Sequence, residues 1–430
     1  NGSGTVTFTS GSYLNFTGSS VETMTLTAAD LSLSSEVVGA STNLVFRTSD
    51  SSNSELSVGD SNGATPFHLS EAELNLITTD GTLTLGDATT TDTVYVDNVD
   101  YLDTSPTDVF IYSTTLVEFK TGASSFLTRL TVSSLKNIDV EAGVSISNGV
   151  VAFTTNSDCT SPSDGTLHVT SSGSIDTNNQ NLTVTGGAVN LEGTTDSGTA
   201  PTHFTGGCND VSIEVGGGGS VGGVMALSQT ELGKINCSDL VFSTIGNAAM
   251  DVYNTIIGDT STVSGQVTFS SESTLDFEGT STVFKDVRAL APTMTIKGTH
   301  LTATTLDIDL EATTFTLDTS CELVSSAGSI RVGPHFTDPG VSHMAVTSPV
   351  VWRSAEHQTF DVLVTVSGSG LVEYSADYES TPDGSGTVTF TSGSYLNFTG
   401  SSVPNMTLPA ADLSLSSEVV GASTDLVFRT

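Results

Sequence analysis

Apolar residues in this chain alternate with hydroxyl residues in short runs, and that period constrains the fold more than any other feature. Val6 and Phe8, Leu14 and Phe16, Met24 and Leu26, and Leu31 and Leu33 each flank one small polar residue. A period of two places both members of a pair on the same side of an extended strand. The runs return about every seven to ten residues with Gly, Ser, Asn or Asp between them, too often for intervening helices. Tight Asn-Gly hairpins between matched strands are not the rule. Three short strands and their turns would close a coil in roughly 20–25 residues, the size of one rung of a parallel β-helix. The expected fold class is therefore all-β, a parallel β-solenoid with apolar residues inside and hydroxyls outside.

A second feature extends this along an axis. Residues 1–48 recur at 383–430, and only five aligned pairs differ: Asn1/Asp383, Glu22/Pro404, Thr23/Asn405, Thr27/Pro409 and Asn43/Asp425. Long-range self-similarity marks proteins whose units pack on their neighbours. We read 1–382 as one full solenoid repeat and 383–430 as the start of the next. Such a repeat would hold about 16–18 rungs and rise about 80 Å at the spacing of stacked strands. Tandem continuation would also protect the open strand edges of a terminal rung.

Composition excludes several classes. The net charge of −37 comes from a near absence of bases, 11 Lys plus Arg against 48 Asp plus Glu, so nucleic acid is not an expected partner. Ser and Thr make up 131 residues, which raises the alternative of a disordered stalk; the 11 prolines are too few and the apolar alternation too regular for that reading. No apolar run is long enough to span a bilayer. Cys159, Cys208, Cys237 and Cys321 permit three disulfide pairings, and spacing selects none of them.

Shorter repeats lie within the long one. Leu26–Leu31, Leu69–Leu74, Leu227–Leu232 and Leu408–Leu413 share the form L-x-x-x-[DE]-L. Around the middle two, the likeness continues through Ile77 and Ile235, Leu85-Gly86 and Ile245-Gly246, and Val94 and Val252. These are expected to be duplicated rungs. The stretches Leu69–Val96 (LSEAELNLITTDGTLTLGDATTTDTVYV) and Gly173–Thr194 (GSIDTNNQNLTVTGGAVNLEGT) resemble successive rungs of giant secreted repeat proteins, the filamentous-haemagglutinin-like and pectin-lyase-like β-helices. That resemblance implies a right-handed coil and carries over no catalytic position.

Candidate chemistry is sparse. His335, Asp338, His343, Trp352, Arg353, Glu356 and His357 form the densest group of unusual residues, in and beyond the longest non-alternating segment, 333–345. Their spacing matches no metal motif, and a loop packed by Phe336 and Trp352 is the expectation. The enzymatic alternative, polysaccharide cleavage, needs acids and bases on adjacent rungs. Asp307 with Asp309 and the turn acids Asp97, Asp100 and Asp103 are the candidates, while the bases Lys120, Arg129, Lys136 and Lys234 stand apart in sequence. We assign no catalytic, cofactor or metal residue and expect no cofactor; weak Ca²⁺ attraction to turn carboxylates needs no motif, and neither the nonapeptide nor the EF-hand pattern occurs. Gly216–Gly223 and 155–165 read as loops. N-glycosylation acceptors would be Asn15, Asn181, Asn236, Asn397 and Asn405.

The resulting expectation is a non-enzymatic, acidic structural glycoprotein at the cell surface or outside it. It would be the shaft of an extracellular filament or surface appendage, partnered by further copies of itself and by glycans, without nucleic acid and without a membrane-inserted segment. A haemagglutinin-like adhesin stalk is the alternative.

Overall fold

The computed structural model describes residues 4–49, 54–60, 67–101, 106–159, 165–217, 224–255, 258–298, 300–317, 321–333, 343–376, 386–391, 394–397, 405–410, 412–416, 418–420 and 425–429. Two compact units divide the chain: 1–208 with 221–225 and 234–238, and 209–220 with 226–233 and 239–430. Both are parallel β-solenoids, as the alternation requires.

In the first unit each full turn supplies three strands. One turn runs through Asp108–Ser113, Leu116–Phe119 and Ser124–Phe126, and the next through Arg129–Ser134, Asn137–Val140 and Gly143–Ile146. Equivalent strands stack in parallel and in register. Leu44, Leu83, Val109, Leu130, Val151 and Leu182 form one inward column. Leu56, Val94, Val117, Ile138, Leu167 and Val189 form a second. All of these side chains are buried. At about 1.5–3 kcal/mol for each large apolar side chain buried, these columns outweigh any surface ion pair as the source of stability.

The second unit has the same plan with longer strands. Leu240, Val267, Val287, Ile308 and Ile330 form one inward column, and Met250, Leu275, Met294 and Phe315 another. Val287–Ile296 turns a corner within one strand: its first part pairs with 267–270 and its last part with 274–277. Pro292 falls at that corner, where the pairing with 308–317 skips one position. Phe242 stacks on Phe269 with ring centres 5.6 Å apart. Trp352, Phe360, Tyr374 and Phe390 form a second aromatic cluster.

Turn length departs from the expected 20–25 residues. Leu130 to Val151 takes 21 residues, whereas Val151 to Leu182 takes 31, because turns carry loops that leave the strand register untouched. Leu44 to Leu83 takes 39. Here the chain lays down Glu55–Gly59, then returns to pair Phe67–Leu69 against that same strand before closing the turn.

The L-x-x-x-[DE]-L repeats divide into two kinds, and the middle two, expected to be duplicated, share a local structure that the outer two lack. Leu26–Leu31 and Leu408–Leu413 run from one strand into the next. Leu69–Leu74 and Leu227–Leu232 instead hold single helical turns, Glu71–Leu74 and Gln229–Leu232. The reason is the capping box: the Ser70 and Ser228 side chains accept from the N–H of Glu73 and Glu231, whose carboxylates reach back to the serine N–H. Asp30, one methylene shorter than Glu, makes a poorer partner for that return bond. The strands before the two helices also match, Glu55–Gly59 and Ser212–Gly216. Each ends in a glycine of positive φ, +91° at Gly59 and +81° at Gly216, where a Cβ would strike the carbonyl of Asp97 or Tyr253. Ile77 and Ile235 both open short strands as expected. The likeness then slips: Leu85-Gly86 ends a strand, whereas Ile245-Gly246 lies in the turn after Leu240–Ser243.

The repeated ends adopt the same pairing. Thr5 is opposite Asp30 as Thr387 is opposite Asp412, Leu14 opposite Val37 as Leu396 opposite Val419, and Thr23 opposite Asn43 as Asn405 opposite Asp425.

Candidate functional site: outward acid and base ladders

Outward side chains on a parallel solenoid stack about 4.8 Å apart, so residues 20 to 40 apart in sequence become neighbours. In the second unit Glu214 lies opposite Asp251, Asp251 opposite Asp276, and Tyr253 opposite Glu278. Carboxylate oxygens of Asp251, Asp276 and Glu278 come within 4.8 Å of one another. Lys297 meets this group from the next turn, its Nζ 2.7 Å from Asp276 and 2.6 Å from Glu278. These two carboxylates hold the ammonium above its usual range. Asp251 is not bonded to Lys297 in this way; burial and then the charges of Asp276 and Glu278 push its carboxyl up to about 6. Burial first, and then the charges of Asp251, Glu278 and Glu214, raise the Tyr253 hydroxyl to about 12. A cleft of about 510 Å³ lies beside this ladder, lined by Glu214, Tyr253, Gln229 and Asn254 among others.

Such an arrangement supplies one carboxyl able to exchange a proton near pH 6 and two carboxylates whose charge is half offset by the protein's own lysine. Other bases are likewise joined to acids across turns, Arg129 among those that stand apart in sequence. Arg288 contacts Glu311 at 2.8 Å and Asp309 at 3.8 Å, and Arg331 reaches Asp309 from the other side. Arg353 bridges Glu322 and Glu373, and His300 also contacts Glu322. In the first unit Arg47 pairs with Asp87 at 2.8 Å and Arg129 with Asp108 at 3.3 Å. Tyr95, Glu118, Asp139 and His168 form another outward column there, with Lys120 Nζ 3.8 Å from the Tyr95 ring centre. Burial first, and neighbouring acids after it, raise the carboxyls of Glu118 and Asp139.

The residues singled out by sequence are not brought into one site. His335 and Asp338 lie outside the described residues, as does Phe336. His343 begins the strand His343–Ser354 instead of ending a loop. Trp352 is fully buried against Phe360 and Tyr374, so it fills the interior of a turn; the loop it was expected to pack lies outside the described residues. Arg353, next in the strand, is on the ion-paired outer face, and the exposed His357 accepts at Nδ1 from the Thr387 N–H. Glu356 is exposed beside it. Asp307 and Asp309 also have separate tasks: Asp307 accepts from the Ser329 N–H, while Asp309 sits between two arginines. Asp97 accepts from the Gly122 N–H and Asp100 from the Ser125 hydroxyl; Asp103 is outside the described residues. Sequence reasoning missed Asp251, Asp276, Glu278 and Lys297, whose only local signal was an outward position in an alternating run.

Cys159 and Cys208 form a disulfide, with Cα atoms 5.6 Å apart, tying the loop after Val151–Thr154 to the one after Thr202–Gly206. Cys237 and Cys321 are buried thiols, and Cys321 donates to the Ile296 carbonyl. Asn15, Asn181 and Asn236 are exposed and Asn397 is half-buried; the Asn405 side chain is outside the described set. Asn236 Nδ2 donates to Asp196. The described residues contain no helix long and apolar enough to cross a membrane. No family model, curated protein or solved structure matches the chain.

Proposed function

We propose that this chain is part of the shaft of an extracellular filament or surface appendage built from tandem β-solenoid repeats. The observation that carries the reading is that residues 1–48 and 383–430 use the same strand pairings, so one repeat ends in the geometry with which the next begins. The mechanism is mechanical. Backbone hydrogen bonds run along the axis between turns, apolar columns exclude water, and the acidic, hydroxyl-rich outside keeps neighbouring shafts apart in solution and offers positions for glycans. The Cys159–Cys208 bridge fits an oxidising, extracellular setting. An adhesin stalk would use the same shaft to present a terminal binding domain.

A second reading, a polysaccharide-active enzyme, is favoured by the acids Asp251, Asp276 and Glu278 on adjacent turns, with Asp251 raised toward a proton donor's range. It ranks below the shaft because Lys297 already engages two of the three acids. Electron microscopy of native material tests the first reading: an axial period of roughly 70–80 Å, or a multiple of it, is expected from stacked turns. Globular particles without axial order would end it. Release of reducing sugar from acidic or neutral polysaccharides, lost in Asp251→Asn, would move the enzyme reading to the front.

A further inference from the structure

The two capped helical turns sit at matching corners. Ser57 and Glu214 hold the same place in the strands before the helices, and Gly59 and Gly216 end those strands. Asn98 and Asn254, both of positive φ, follow the strands stacked on them. The corners are filled differently. Two residues before the first N-cap, His68 places Nε2 2.9 Å from the Gly59 carbonyl; two residues before the second, Ala226 has only a methyl group. The cleft of about 510 Å³ opens at this second corner, lined by Glu214, Gln229, Tyr253 and Asn254 among others. Gln229 Nε2 donates to the Asn254 carbonyl, which leaves Gln229 Oε1 as an acceptor. Gly217 is where a Cβ would strike the Glu214 carboxylate.

Elsewhere the outward faces seat the chain's own ammonium groups. Lys120 Nζ lies 3.8 Å from the Tyr95 ring centre, and Lys297 Nζ lies between Asp276 and Glu278. At the cleft an acid and a tyrosine ring are again together, yet among the described residues neither Glu214 nor the neighbouring Asp251 is in an ion pair. The segment 218–223 contains no Lys or Arg. From these matched corners we propose that the cleft binds a primary alkylammonium group, carried by a free amine or by a lysine side chain. Glu214 and Gln229 Oε1 accept from its N–H groups, and the Tyr253 ring lies beside the charge as Tyr95 lies beside Lys120. The cleft also has room for the attached carbon chain, and Glu214 with the nearby Asp251 repels anions. The site goes beyond the shaft reading and does not depend on it.

The test is a saturation-transfer NMR titration of the full chain at low salt and pH 8, with butylammonium as the probe and 1-butanol as its uncharged counterpart. Butylammonium is expected to saturate one site and butanol not to bind. Glu214→Ser and Ala226→His each give the second corner the residue that the first already carries, so both fit the fold. Each should weaken butylammonium at least about tenfold with unchanged circular dichroism, one by removing the carboxylate and the other by filling the cleft. A net charge of −37 also gathers amines diffusely, so Glu192→Gln, which removes an exposed carboxylate on another turn, serves as the control and should bind as wild type does. Uptake that does not saturate, equal binding of butanol, unchanged affinity in Glu214→Ser, or an equal loss in Glu192→Gln would overturn the site. A parallel titration with Nα-acetyl-lysine amide identifies the source: tighter binding than butylammonium means a peptide lysine, weaker binding a free amine.

Discussion

Lys297 lies 2.7 Å from Asp276 on the turn before it, and its ammonium also holds Glu278 at 2.6 Å. In sequence these residues are about twenty apart with nothing to link them; in the solenoid they are the centre of an outward ladder that also includes Glu214, Asp251 and Tyr253.

Removing the ammonium leaves three carboxylates facing one another. Lys297→Met should lower stability by about 1 kcal/mol at pH 8, a value kept small because the lysine is 41 % exposed and solvent screens it. The loss should shrink in about 1 M salt, which screens this partly exposed cluster. Melting temperatures at low and high salt check this, and an equal loss at both would refute it.

Asp251 responds with the opposite sign. Its folded carboxyl is pushed up to about 6 from an ordinary 3.8, by burial first and then by Asp276 and Glu278. The folded state therefore holds the proton more tightly, and stability falls as pH rises from about 4 to about 6. Asp251→Asn should gain about 1 kcal/mol at pH 8 after allowance for screening, and little at pH 4. A variant less stable than wild type at pH 8 would show that the carboxylate is instead favourably held.

The two capped helical turns should behave alike. Ser70→Ala and Ser228→Ala are each expected to cost about 1 kcal/mol, the usual loss of an N-cap. Glu73→Ala should also expose the Leu33 amide, which donates to Glu73 at 2.8 Å. Hydrogen exchange at Leu33 faster than in wild type is the expected readout, and unchanged protection would remove Glu73 from that role.

Adjacent residues on opposite faces should differ sharply. Trp352→Ala empties a fully buried aromatic cluster and should cost about 3–5 kcal/mol. Arg353→Ala removes contacts to Glu322 and Glu373 on the partly exposed face and should cost about 1 kcal/mol. Chemical denaturation of both variants checks the ratio, and comparable losses would contradict the assignment of faces.

Much of the architecture was legible because it is local. A period of two names the inward face wherever it occurs, and turn residues between short runs leave a parallel coil as the way to bury that face repeatedly. Val6, Phe8, Leu31 and Leu33 could be placed on a common side from their spacing alone. The helical turn at Glu71–Leu74 was also written locally, in Ser70 and Glu73, yet it was hidden inside an L-x-x-x-[DE]-L pattern shared with a strand pair.

By itself, then, the sequence determined the strand period, the inward residues and the recurrence of 1–48 at 383–430, since each depends on neighbours in the chain. Tertiary structure decided which residues meet across turns. Loops set steps of 21, 31 or 39 residues, so no fixed spacing marks the contacts. That is why the Asp251, Asp276, Glu278 and Lys297 ladder and the Cys159–Cys208 pair came from stacking. A residue's face is fixed by the geometry of its own strand; its partner one turn away is fixed by the length of everything in between.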